Sequence, residues 1–274
     1  MQTAGPFLFL AVLGLGVVFA LLAFGFRQKI AHLWARASQG PSVQDQGGRL
    51  PPLVRDYALR CGGQLEAGHL ALILTQRAEL RLKRGGLFTP FRTQQIVALG
   101  EPGFVWHARS TIGPLTRLRV VDAFVGGEGM LEARMFGALT VARANGVETT
   151  LGEAFRYLAE LPWVPDAILG NPDLHWRMTG EREAEVKLNT RVGTARATFR
   201  FDANGDITEL EARDRPASDP AGRPVRYDWR GRFGDYRQVG DRRLPAYGEV
   251  GYLYPDGYEV YFRAKITDCR IAGR

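Results

Sequence analysis

Along most of the chain apolar and polar residues alternate one by one, the period-2 signature of strands with one buried and one wet face. In TARATFRFD, Ala195, Ala197, Phe199 and Phe201 fall on one side and Arg196, Thr198 and Arg200 on the other. In YEVYFRAKI, Tyr258, Val260, Phe262, Ala264 and Ile266 share a face opposite Glu259, Tyr261, Arg263 and Lys265. Segments of this kind, short, rich in branched and aromatic residues and divided by Gly, Pro or polar turns, recur from Leu70 to Ile266. They predict about eleven or twelve antiparallel strands. Asn-Gly in DANGD (Asp202 to Asp206) and Asp-Gly in YPDGY (Tyr254 to Tyr258) mark two hairpins, because both dipeptides tolerate positive φ.

Two stretches break the alternation. Residues 6–26 (PFLFLAVLGLGVVFALLAFGF) contain no charged or strongly polar side chain. At about 1.5 Å per residue they form a helix of roughly 31 Å, the thickness of a bilayer core. MQTAG supplies no basic start, and Arg27, Gln28 and Lys29 end the run, so the pattern predicts an uncleaved anchor rather than a signal peptide. The next residues, RQKIAHLWARAS, predict a short helix leaving the membrane with Trp34 at headgroup level. Residues 39–52, rich in Gly, Pro, Ser and Gln, predict a tether, and LVRDYAL after Pro51 and Pro52 a helix opening the domain. The organisation expected is therefore an anchor and juxtamembrane helix over 1–38, a linker over 39–52 and one β domain over 53–274.

The second break is FRYLAELPWVPDAIL, residues 155–169. Phe155, Leu158, Ala159 and Leu161 form a helical stripe, Pro162 and Pro165 stop the helix, and PDAIL forms a second short element. A single sheet of so many strands curls, and the apolar side of the curl needs a cover. The expected fold is thus mainly β: a large antiparallel open or half β-barrel whose concave face is covered by the mid-chain helical insertion as a lid or plug, with an N-terminal transmembrane helix.

The formal net charge of +7 suits an anionic membrane surface. The basic residues are interleaved with strand positions rather than gathered in runs, which argues against nucleic acid. Cys61 and Cys269 are the only cysteines, too few for a metal cluster or disulfide scaffold, although one bond between them stays open. His32, His69, His107 and His175 lie far apart with no zinc spacing, DANGD lacks the glutamate of a calcium loop, and no nucleotide fingerprint occurs, so no cofactor is expected.

Candidate chemistry gathers around the insertion. Asp122 ends an apolar strand before GGEG and can face a cavity, while Arg156 and Glu160 stand one helical turn apart. Asp122 can therefore pair with Arg156 across the cavity and hold a polar headgroup or support acid–base work, or else form a purely structural pair. The candidate ligand-binding residues are Trp106, Asp122, Phe155, Arg156, Tyr157, Glu160 and Trp163.

GFVWHA (Gly103 to Ala108), VVDAFVGGEGM (Val120 to Met130), the Arg-Tyr-Leu-x-Glu helix with its Trp and Pro, and the strand from Pro255 to Tyr261 resemble a bacterial domain-of-unknown-function family of membrane-anchored proteins. The architecture is similar, more distantly, to the lipoprotein-carrier (LolA/LolB-like) superfamily. That resemblance implies an acyl chain in the cavity and a location outside the cytoplasm. Arg27, Lys29 and Arg36 after the span imply the cytoplasmic side instead, so the side of the bacterial cell membrane stays open. The function expected is binding of a lipid or other apolar ligand at the membrane. The alternatives are a structural module with a filled barrel, or an enzyme using Arg156, Glu160 and Asp122.

Overall fold

The computed structural model describes residues 4–66, 68, 70–112, 116–219 and 222–272; His69 lies outside them. Six strands come first: β1 (Ala71–Arg81), β2 (Phe88–Ala98), β3 (Phe104–Ile112), β4 (Thr116–Val125), β5 (Glu128–Met135) and β6 (Leu139–Asn145). Seven follow the helical insertion: β7 (Leu174–Gly180), β8 (Glu183–Thr190), β9 (Gly193–Phe201), β10 (Ile207–Ser218), β11 (Pro224–Val239), β12 (Arg242–Tyr254) and β13 (Gly257–Ile271). All thirteen form one antiparallel half-barrel in the order β6-β5-β4-β3-β2-β1-β13-β12-β11-β10-β9-β8-β7. The strand beyond the expected twelve comes from GMLEARMFGALTVAR. That run reverses at Phe136 and Gly137, both at positive φ (55° and 78°), and becomes the β5–β6 hairpin.

The first and last strands, β1 and β13, pair in the middle of the sheet, so the centre of the sequence supplies both edges, β6 and β7. The chain must then cross from one edge to the other, and it does so through the concave side. This connection is α3 (Val147–Glu160), a 3-10 turn (Leu161–Trp163) and α4 (Pro165–Gly170). From Thr150 to Gly170 every residue except the half-buried Arg156 is buried, because the insertion lies in the trough of the sheet. Phe155 and Leu158 are 5% and 0% exposed.

Both ends of the insertion are fastened. At the start, Gly129 on β5 donates its N–H to Thr150 Oγ1 at 3.0 Å, and a Cβ on Gly129 would stand 2.6 Å from the Thr150 backbone. At the far end Asp166 of α4 forms a fully buried ion pair with Arg242 of β12 at 2.8 and 3.1 Å. The helix α2 (Pro52–Arg60) packs beside α4, and Tyr57 donates from its hydroxyl to the Pro162 carbonyl at 3.0 Å.

Two expectations about the N-terminal region are corrected by the packing. The helix α1 (Ala4–Ser38) is continuous, and its second half does not leave the domain. Phe26, Ile30 and Ala37 are buried on the convex face of the sheet against Ile73, Ile96, Val105, Val121 and Ala123, with Trp34 packed alongside. The convex face of β1–β4 is therefore dry where α1 covers it, while Arg77, Arg92 and Arg109 further along the same face are exposed. Residues 39–52 are laid along the domain rather than hanging free: Gln44 donates its N–H to the Gly170 carbonyl at 2.9 Å, Val43 packs on the core, and Leu50 is buried. Low sequence hydrophobicity hid this because the contacts are made largely by backbone and glycine.

Cys61 and Cys269 are both free thiols, and burial pushes them up to about 11 and about 12 respectively. They are thiols at physiological pH and chemically quiet. In DANGD the Asp202 carboxylate accepts the N–H groups of Asn204 and Asp206 at 2.8 and 2.9 Å, closing a side-chain turn between β9 and β10.

Candidate functional site

Curling a sheet around a single helix leaves unfilled space where the helix face turns polar. A cavity of about 350 Å³ lies there, between α3 and the concave faces of β1, β3–β6 and β10–β13. Its aromatic walls include Trp106, Trp163, Trp229, Phe233, Tyr252 and Tyr261, with Val120, Leu131 and Val250 between them. The face that α3 presents is Gly152, Glu153, Arg156, Ala159 and Glu160, spaced so as to recur along one side of the helix.

Strand parity puts Trp106 and Asp122 inside, directly opposite each other on β3 and β4. The Trp106 indole N–H donates to Gln76 Oε1 at 3.2 Å, and Gln76 in turn donates to Gln95 Oε1 at 3.1 Å, so the ring is fixed by a buried amide pair. Trp163 donates from its indole nitrogen to the Pro245 carbonyl at 2.8 Å. It lies over Gly248, where a Cβ would stand 2.5 Å from the ring, so only glycine lets the indole reach the sheet.

Arg156 is the hub of the polar side. It donates through Nη1 to Asp122 Oδ2 and through Nε to Glu160 Oε1 at 3.3 Å. Its guanidinium carbon lies 4.8 Å from the Phe104 ring centre and 5.2 Å from that of Trp106. Burial works against the Arg156 charge, but the Asp122 and Glu160 carboxyls outweigh it and leave its pKa raised. The pair expected on the helix surface is thus inside the barrel, and the expected approach of Asp122 to Arg156 is present.

Glu153 and Arg215 complete the polar set and are absent from the sequence-based candidates. Burial raises the Glu153 carboxyl well above the usual carboxylate range, and the neighbouring Asp122 raises it further through charge and a shared hydrogen bond. Both effects favour the neutral form of Glu153, against the opposing pull of Arg156 and Arg215. Burial also raises Glu160, against the opposing pull of Arg156 and Gln95. Arg215 enters by a backbone irregularity. Between Ala212 and Arg215 the register with β11 slips by one residue, with Asp214 at φ 53° and its N–H on Asp228 Oδ1 at 3.2 Å. This bulge turns Arg215, which an unbroken strand would aim outward, into the cavity.

Of the sequence-based candidates, Trp106, Asp122, Arg156, Glu160 and Trp163 come together around this cavity. Phe155 and Tyr157 are buried but do not line it. Phe155 belongs to the apolar core, and the Tyr157 hydroxyl accepts from Asn171 Nδ2 at 2.8 Å. Helical spacing gives the reason: both stand off the stripe that carries Gly152, Glu153, Arg156, Ala159 and Glu160. No group of three or more potential metal-ligating side chains occurs among the described residues.

No curated protein matches the chain. Among solved structures, a Vibrio parahaemolyticus domain named for outer membrane lipoprotein sorting is similar at 11% identity and a TM-score of 0.45, over 81% of this chain and 91% of that one. A LolA superfamily protein from Nitrosomonas europaea is similar at 10% identity and a TM-score of 0.37, over 81% and 93%. A DUF1329 family protein from Desulfovibrio piger is similar at 10% identity and a TM-score of 0.45, over 80% and 92%. Residues 42–264 match the model of a family of unknown function, DUF6544, and the chain belongs to that family.

Proposed function

We propose that this protein is a membrane-anchored binding protein that holds a lipid or another apolar small molecule in the cavity beneath α3. The observation that carries the reading is the cavity itself: about 350 Å³, walled mainly by aromatic and aliphatic side chains, with a few charged groups set among them on α3 (Glu153, Arg156, Glu160), β4 (Asp122), the β10 bulge (Arg215) and β12 (Glu249). A single-site pocket for a small molecule spans roughly 300–1,000 Å³ and has this composition, apolar walls with a few fixed polar groups. The volume falls at the lower end and suits one chain or ring system. A barrel built only as a scaffold has no reason to leave buried carboxyls facing empty space.

Anchoring rests on the first half of α1. Val12–Ser38 contains a stretch long and apolar enough to cross a membrane, and Leu10, Val12, Leu13, Leu15, Val17, Val18, Leu21, Leu22 and Phe24 are exposed along the first half of the helix. The β5–β6 turn meets this part of the helix, with the Phe136 ring 6.2 Å from that of Phe19, and Phe136, Leu139 and Val141 are exposed on the same edge. A bilayer around residues 10–24 would therefore also receive the rim of the half-barrel.

The test is mass spectrometry of lipid extracted with the full chain, purified from more than one host, against an Ala159→Phe variant that fills the cavity. The reading predicts a stoichiometric apolar molecule with the wild-type chain and its loss from the variant. Equal lipid content in both, or none in either, contradicts it.

A further inference from the structure

Three arginines of the interior among the described residues, Arg242 and Arg215, both buried, and the half-buried Arg156, differ in one respect. Arg242 has Asp166, and Arg156 has Asp122 and Glu160. Arg215 is 7% exposed and lines the cavity, yet no carboxylate lies within ion-pair distance of it among the described residues. Its Nη1 donates to the Tyr252 hydroxyl and its Nη2 to the Gly152 carbonyl at 3.2 Å, while its Nε has no partner. The guanidinium rests over Trp229 at 4.6 Å and Tyr252 at 5.4 Å. A charge held in a low-dielectric pocket by neutral groups alone is unstable relative to one facing an anion.

Building on the binding function proposed above, we infer that Arg215 receives the anionic head group, carboxylate or phosphate, of a single-tailed amphiphile whose tail lies against the aromatic wall. Three features support this. The bulge at residues 213–214 strains Asp214 into the left-handed region in order to aim Arg215 inward, a device that occurs beside binding sites. Among the described residues Glu153, an acid of α3 in the same cavity, makes no ion pair with this arginine, and burial together with Asp122 favours its neutral form against the pull of Arg156 and Arg215, which limits its repulsion of an incoming anion. The Tyr252 hydroxyl oxygen accepts from Arg215, which can only donate, and its own proton points toward the Pro216 carbonyl 3.5 Å away. The free Nε is then the remaining donor of a preoriented guanidinium.

The experiment is equilibrium binding to the full chain in phosphatidylcholine nanodiscs, corrected with empty nanodiscs, of dodecanoate, dodecyl phosphate, dodecanol and inorganic phosphate. One or both anionic amphiphiles are expected to bind about tenfold or more tightly than dodecanol, the size of a charge-assisted contact. Their relative affinity tells carboxylate from phosphate. Inorganic phosphate is expected to bind far more weakly, because it lacks the tail. In Arg215→Gln the ratio of anion to dodecanol affinity is expected to fall to near one, and in Arg215→Lys, which keeps the charge without the planar fork, to recover in part. A dodecanol affinity equal to that of the anions on the wild-type chain overturns the inference without touching the cavity reading, as does an anion preference that survives Arg215→Gln. Inorganic phosphate binding as tightly as dodecyl phosphate overturns it too. Binding of none of the amphiphiles removes both.

Discussion

The two faces of the half-barrel each bury carboxyl groups, and they treat them in opposite ways. On the convex face Glu132 of β5 is fully buried and accepts from Lys29 of α1 at 2.7 Å, from Arg134 at 2.6 Å and from Arg143 at 2.9 Å. Burial alone would raise its pKa, but three cations outweigh it and hold it down at about 2. On the concave face Asp122, Glu153 and Glu160 share one cavity with Arg156 and Arg215, and the pairing is incomplete: burial and Asp122 favour the neutral form of Glu153 against the pull of Arg156 and Arg215, and no carboxylate among the described residues lies within ion-pair distance of Arg215. A saturated cluster fastens α1 to the sheet. An unsaturated one is consistent with the binding site proposed above.

The contrast can be broken from either side. The largest expected effect is on the convex face, where Glu132→Gln leaves Lys29, Arg134 and Arg143 without their shared acceptor. Two of these cations are substantially exposed, at 39% and 53%, so the loss is set at about 2 kcal/mol, below that of a wholly buried pair. The sign of its pH dependence is fixed by the depressed pKa. The Glu132 contribution is complete above the ordinary carboxylate value and fades as pH falls toward about 2, so wild type and variant should converge in acid. Chemical denaturation of the full chain between pH 3 and pH 7 measures it.

Glu153→Gln should act the other way. A carboxyl whose folded pKa is raised loses stability for the protein as pH rises above its unfolded value, and glutamine keeps the shape and a donor to Asp122 without that penalty. The variant should be more stable than wild type by about 1 kcal/mol at pH 8 and indistinguishable near pH 4. A destabilised variant at pH 8 would show that Glu153 is ionised in the fold and that the concave cluster is saturated after all.

The smallest effect concerns α3, the helix that carries the concave cluster. Gly152 sits inside α3, and a Cβ there meets only the Pro216 carbonyl oxygen at 3.9 Å. Gly152→Ala should therefore stabilise by about 0.5–1 kcal/mol, the ordinary helical preference for alanine. Thermal unfolding that shows no gain would mean that the cavity is tighter at this point than its dimensions indicate.

How much of this was legible in the sequence differs between the two faces for physical reasons. Period-2 alternation located the strands, and Asn-Gly and Asp-Gly located the hairpins, because those signals are local. The four-residue spacing of Arg156 and Glu160 and the break at Pro162 likewise announced the covering helix. Arg215 was illegible. Counting alternate residues from Leu210 and Ala212 puts Asp214 inside and Arg215 outside, and only the bulge, a tertiary feature, reverses them. Glu153 was missed because an acid in the first half of a helix reads as a favourable surface charge. The seat of α1 left a signal that could have been used: LALIL, QIVAL and VVDAFV are near-continuous apolar runs, the mark of strands buried on both faces.

The account stands on the concave cavity holding an apolar chain, and the most direct measurement is quenching of the tryptophans that wall it. The full chain carrying Trp34→Phe, which removes the indole on α1, would be titrated in detergent with a brominated fatty acid. Saturable quenching from Trp106, Trp163 and Trp229, abolished by Ala159→Phe, is the predicted result. Quenching that rises linearly without saturation, or that is the same in the filled variant, would contradict it.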